Sequence, residues 1–328
     1  MSVARLAAPS QTPHHRWTTA AILVLIAGML SSCSTTGITI NEGLISKVSI
    51  SPDGRAIAAA IDGWGTNEDD PTIVRWWNWN GKDGIWHVPG YLVRAFGWAA
   101  DGSLLVGGQR KSRMPEVPWW RLDSKGKVLA ACKGLPKGPG ILDRMNDPRY
   151  KNQPIYAGKH ISRGIASIAE LAGGRVVTGG TDQTLAVWEG CSPTWLNSET
   201  CCRAEDSITV TARGAGFETS GEGIYQNKNE GYYEDMGPRR WSPSPWKAVS
   251  IQAPVVPAGT RLRANGADCM ATMDASGHII VVGEHPWTAS IEPDKTDDWN
   301  EWVSLAASHD CKIIAVANRH RIVKVTSP

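Results

Sequence analysis

His160, Thr178 and Asp182 bring an imidazole, a hydroxyl and a carboxylate into one short stretch of chain. These are the parts from which a base, a nucleophile and an orienting acid are assembled. Such a nucleophile must stand exposed beside an oxyanion hole. Thr178 instead sits in "RVVTGG", an apolar β-type run whose side chains alternate between packed faces. A structural role is therefore expected. No GxSxG, HExxH, P-loop or GxGxxG pattern occurs, and His285, His309, Asp310 and His320 are scattered singly, as surface or loop positions. Cys132, Cys191, Cys201, Cys202, Cys269 and Cys311 include no CxxC and have no histidine at finger distance, so they match no zinc template. Cys191 and the pair Cys201-Cys202 bracket a short loop, so a bridge from Cys191 to Cys201 or Cys202 is expected. No catalytic, cofactor-binding or metal-ligating residue is assigned.

The elements around these residues repeat. "IASIAELAGGRVVTGG" reads as strand, small polar turn, strand, and five other segments share the pattern: "KVSISPDGRAIAAAID", "RAFGWAADGSLLVGGQ", "ITVTARGAGFETSGEG", "LRANGADCMATMDASG" and "VSLAASHDCKIIAVAN". Their turn residues Gly54, Gly102, Gly174, Gly216, Asp268 and Cys311 are spaced by 48, 72, 42, 52 and 43 residues. Four of these steps suit a four-stranded blade of about 40–50 residues. A third strand follows each hairpin ("GIYQNK" in the fourth copy), and a fourth follows in all but the last copy. The missing strand is supplied by "GITINEG", Gly37 to Gly43, from the other end of the chain. The expected fold is all-β: a β-propeller of six four-stranded blades closed by an N-terminal strand, spanning 38–328. Seven blades is the alternative if the 72-residue step holds two. Residues 133–153, rich in Pro, Gly and charge, read better as an insertion.

The third copy, "AGKHISRGIASIAELAGGRVVTGGTDQTLAVWEG", resembles the WD-repeat family. That resemblance implies a structural hydrogen-bond tetrad of His160, Thr178, Asp182 and Trp188 inside the blade.

At the N-terminus, Arg5 and Arg16 precede the apolar run "TTAAILVLIAGML", which is too short to span a bilayer as a mature helix. "LSSC", Leu30 to Cys33, follows directly and resembles the lipobox of bacterial lipoproteins. The resemblance implies a signal peptide over 1–32 and diacylglycerol on the Cys33 thiol, with a further acyl chain such as palmitate on its amine. Residues 33–37 would be a short tether. Ser34 after the cysteine favours the outer membrane, facing the periplasm. Cleavage removes two arginines and no acid, so 34 basic and 32 acidic residues become 32 and 32. A neutral chain with no Lys/Arg run gives no sign of nucleic-acid binding.

The function expected is that of a lipid-anchored binding scaffold docking another envelope protein, with no cofactor. A periplasmic hydrolase or lyase acting on a glycan or lactone is the rival, and needs carboxylates or a metal at one mouth of the channel. "GTNEDDPT" (65–72) and "YYEDMGPRRW" (232–241) are acid-bearing loops that could supply them. A polysaccharide or peptidoglycan module is the third reading. It needs a solvent-facing row drawn from the 16 tryptophans.

Overall fold

A computed structural model of the chain describes residues 34–328 except 64–71, 79–82, 89, 111–117, 134–163, 181–184, 198–208, 221–237, 244, 253–254, 268 and 293–300. Among these residues, twenty-four strands form six four-stranded antiparallel sheets. The first strand, β1 (Ser34–Thr39), belongs to the last blade. Blade one is β2 (Leu44–Ile50), β3 (Ala56–Asp62), β4 (Ile73–Asn78) and β5 (Asp83–His87). Blade two is β6 (Tyr91–Trp98), β7 (Leu104–Arg110), β8 (Trp119–Leu122) and β9 (Val128–Cys132). Blade three is β10 (Ile165–Glu170), β11 (Val176–Gly180), β12 (Leu185–Glu189) and β13 (Ser192–Asn197). Blade four is β14 (Thr209–Arg213), β15 (Gly216–Ser220), β16 (Arg239–Ser242) and β17 (Lys247–Ser250). Blade five is β18 (Thr260–Asn265), β19 (Cys269–Asp274), β20 (His278–Gly283) and β21 (Trp287–Ser290). Blade six is β22 (Ser304–Ala307), β23 (Ile313–Ala317) and β24 (Arg321–Thr326), completed by β1. The long step between copies two and three adds no seventh sheet among the described residues. The proposed insertion falls almost wholly outside them.

The second strand of a blade is buried on both faces, and its sequence shows why. In "AIAAAID" of β3, Ala59 packs with Ala306, Ala315 and Ile322 of blade six, while Ala58 and Ala60 pack with Val93, Val106 and Trp120 of blade two. Small residues on alternate faces let one strand serve two interfaces. The first hairpin turns need a left-handed residue, and Gly54, Gly102 and Gly174 supply it at φ 69°, 79° and 76°. Cys311 holds the matching place at φ 52°.

Three expectations are corrected. The closing strand runs from Ser34 to Thr39 rather than Gly37 to Gly43, and pairs along all of β24 from Ser34↔Thr326 to Thr39↔Arg321. Thr35, Thr36, Ile38 and Thr39 are β-branched and favour strands, and β24 offers partners along the whole segment. Residues 34–37 of the expected tether are thereby part of the sheet. Cys191 bonds Cys132 of blade two rather than Cys201 or Cys202, because the β12–β13 turn lies against β9; Cys201 and Cys202 are outside the described residues. In blade four the third strand is "RRWS", and "GIYQNK" also falls outside.

The molecule has two unlike ends. Strand order and register place the β2–β3, β6–β7, β10–β11, β14–β15, β18–β19 and β22–β23 turns at one end, and the turns joining third to fourth strands lie there too. None of these turns exceeds five residues. At the opposite end run the long connections: 63–72, 111–118, 133–164, 198–208, 221–238 and 291–303. Backbone bonds lace the short turns together, His309 N–H donating to Pro52 O (3.1 Å), Ala267 to His309 (2.9 Å) and Ala172 to Gly214 (2.8 Å). Ser34, Thr326, Ile313 and Ile314–Ala307 form one row across blade six, so the chain enters the ring at this short-turn end.

Candidate functional site

The structure brings together half of the expected tetrad. Thr178 of β11 and Trp188 of β12 are both buried, and the Trp188 indole N–H donates to Thr178 Oγ1 at 2.9 Å. His160 and Asp182 lie outside the described residues. A threonine hydroxyl sealed in a blade and already accepting a hydrogen bond has no access to a substrate. The same pair recurs one blade on, where Trp241 donates to Thr219 Oγ1 at 3.1 Å. Sequence reading missed this copy because its third strand comes late, after the 221–238 connection. Cys33 is outside the described residues, next to the first residue of β1.

The first strands of the six blades enclose a central cavity of about 610 Å³. The wall is mainly Val, Ile, Ala, Phe and Trp side chains, with Ser49, Thr211 and Asn265 adding polar groups. Glu170 is the only carboxylate lining it among the described residues. It is fully engaged, accepting from Ala100 N–H at 2.6 Å and pairing with the Arg121 guanidinium at 2.6 Å. Glycoside hydrolysis takes two carboxylates facing one bond. The described wall offers a single, neutralised one, and the two acid-bearing loops fall almost wholly outside the described residues. No group of three or more His, Cys, Asp or Glu side chains gathers as metal ligands among the described residues.

The cations of the wall are Lys47 and Arg263. Lys47 lies just past an irregularity in β2, where register shifts between Ile45 and Lys47. Such a bulge re-aims the side chains beside it. Similar shifts occur in β6, β10 and β18. Arg94, the extra residue of the β6 shift, is neutralised by Asp62 at 2.8 Å across the junction of blades one and two. Lys47 has no such acid. It is open to the cavity yet ringed by protein, and this enclosure lowers its ammonium pKa from the usual lysine value by desolvation.

Among the described residues the tryptophans do not form an exposed row. Trp76, Trp119, Trp120, Trp188 and Trp241 are buried, and no tryptophan among the described residues is exposed. Trp76 shows what they do instead. Its indole donates to Ser124 O of blade two at 3.0 Å, and its ring fills the space that a Cβ on Gly84 or Gly126 would take.

Comparison with solved structures agrees with this architecture. The RRP9 WD40 repeats superpose with a TM-score of 0.53 at 12% identity, covering 90% of this chain and 99% of that one. The structure of U3-55K gives 0.51 at 12% identity, covering 89% and 98%. The fold is a WD40-type β-propeller. No protein-family description and no curated protein matches the chain. At this identity the likeness speaks for the propeller's architecture and leaves its partners to be argued from its own surface.

Proposed function

We propose that the protein is a docking scaffold of the bacterial envelope, held by lipid on Cys33 and presenting its long-connection end to a protein partner. The observation that carries this reading is the polarity of the ring. The first strand begins with Ser34 at the short-turn end, and the long connections leave from the other. Long loops on a rigid frame are where binding surfaces are usually built. With β1 starting at Ser34, a lipid on Cys33 would hold the short-turn end at the membrane surface and turn the loops away from it. Acyl chains at about 0.8 kcal/mol per buried CH₂ hold such a protein without a spanning helix. Two bridges join neighbouring blades, Cys132–Cys191 and Cys269–Cys311, which suits an oxidising compartment outside the cytoplasm.

Intact-mass analysis of the purified N-terminus should give a chain starting at acylated Cys33; a chain retaining Ala20–Leu30 defeats the anchor. A photo-crosslinker at Ser276, in the β19–β20 turn of the loop end, should capture a stoichiometric protein from native membranes. The same probe at Lys125, in the β8–β9 turn, should not. Capture from Lys125 alone would reverse the orientation.

A further inference from the structure

At two junctions between blades, a serine hydroxyl of one blade accepts a backbone N–H of the next. In blade six, Ser304 Oγ accepts the Val48 backbone N–H of blade one at 3.1 Å; in blade three, Ser167 Oγ accepts the Val210 N–H of blade four at 2.9 Å. Both serines stand four residues before the residue that closes the first hairpin turn, Ser308 and Leu171. Counting back from Ser51 puts Lys47 at that place in blade one, and Lys47 lines the central cavity together with Phe96 of blade two. A serine hydroxyl can accept; an ammonium can only donate. Where two other junctions hold an acceptor, this one holds a cation. No described side chain pairs with it, and none accepts from Phe96 N–H.

We propose that the central cavity is a binding site for a small organic carboxylate, whose oxygens take the acceptor's place between Lys47 and Phe96. The cavity is of ligand size, within the roughly 300–1,000 Å³ usual for small-molecule sites. Its wall is largely apolar, so the ligand should carry a hydrocarbon or aromatic body packing on Val48, Phe96 and Trp98. Its one carboxylate among the described residues is neutralised by Arg121, which leaves the Lys47 ammonium to favour an anion. An inorganic anion would leave most of the space and the apolar wall unused. This inference does not depend on the lipid anchor.

The test uses the whole mature chain, titrated calorimetrically with 4-phenylbutyrate, the neutral 4-phenylbutanol and inorganic phosphate. Saturable binding of the acid, and of neither other probe, is expected. Lys47→Ser installs the hydroxyl of blades three and six, so it should fold with an unchanged melting temperature and bind the acid at least tenfold more weakly. Lys127→Ser, in an outer turn, should bind as wild type. A tetrapeptide with a free C-terminal carboxylate, set against its C-terminal amide, separates a protein tail from a free organic acid as the natural source. Tighter binding of either the peptide or 4-phenylbutyrate supports the site. Equal affinity of wild type and Lys47→Ser, preference for phosphate, or no carboxylate binding at millimolar concentration overturns it.

Discussion

One hydrogen bond, from the Trp188 indole to Thr178, illustrates what polar side chains do inside this ring. Replacing Thr178 by Val keeps the shape but leaves a buried N–H without an acceptor, which costs about 1–3 kcal/mol. Thermal melting of Thr178→Val should show that loss, and an unchanged melting temperature would mean another acceptor takes over. The aspartates of the turns act at the same scale. Asp53 and Asp101 are held below the usual carboxylate range chiefly by the hydroxyls of Ser51 and Ser103; Asp274 is held there by Ser276, and Asp123 by the backbone N–H of Lys127. A carboxylate with a depressed folded pKa contributes stability above its unfolded value, about 3.9, and loses it as pH falls through the folded value. Melting temperature should therefore hold from neutrality to about pH 5 and fall steeply below about pH 4. Ser51→Ala combined with Ser103→Ala should make that fall shallower. Thr178 and Trp188 were legible because one blade keeps a recognisable pattern. Lys47 was not, since in "LISKVSI" an inner-strand lysine has the same alternation as one facing bulk solvent.

At the scale of the element, the hairpin of each copy was readable because a glycine turn between two apolar runs is a local signal. Third strands were readable where the connection is short and failed in blade four, where it is long. For the bridges, Cys191 was readable as bonded but neither pairing was. Cys132 and Cys191 are separated by 59 residues and Cys269 and Cys311 by 42, and each pair meets only because neighbouring blades bring an outer strand or second strand against a turn. Loops of that size predict about 2–4 kcal/mol of stabilisation per bridge. Reduction, or Cys269→Ser with Cys311→Ser, should lower the denaturation midpoint accordingly. If the double variant melts like the oxidised wild type, the bridge contributes nothing to stability.

At the scale of the molecule, six blades followed from the count of hairpins, and the strand exchange between termini followed from a blade one strand short. The division into a short-turn end and a long-connection end emerged only with the strand order, because it depends on which connections share a side. One consequence concerns mechanics. A pull on the chain at residue 33, directed out of the short-turn end, runs along the axis of β1. It loads all six residue pairs with β24 together, in shear, instead of peeling them one by one. The first strand of the chain is thus placed to act as a force-bearing clasp: a tug that would unzip a hairpin is here resisted by the whole seam that closes the ring.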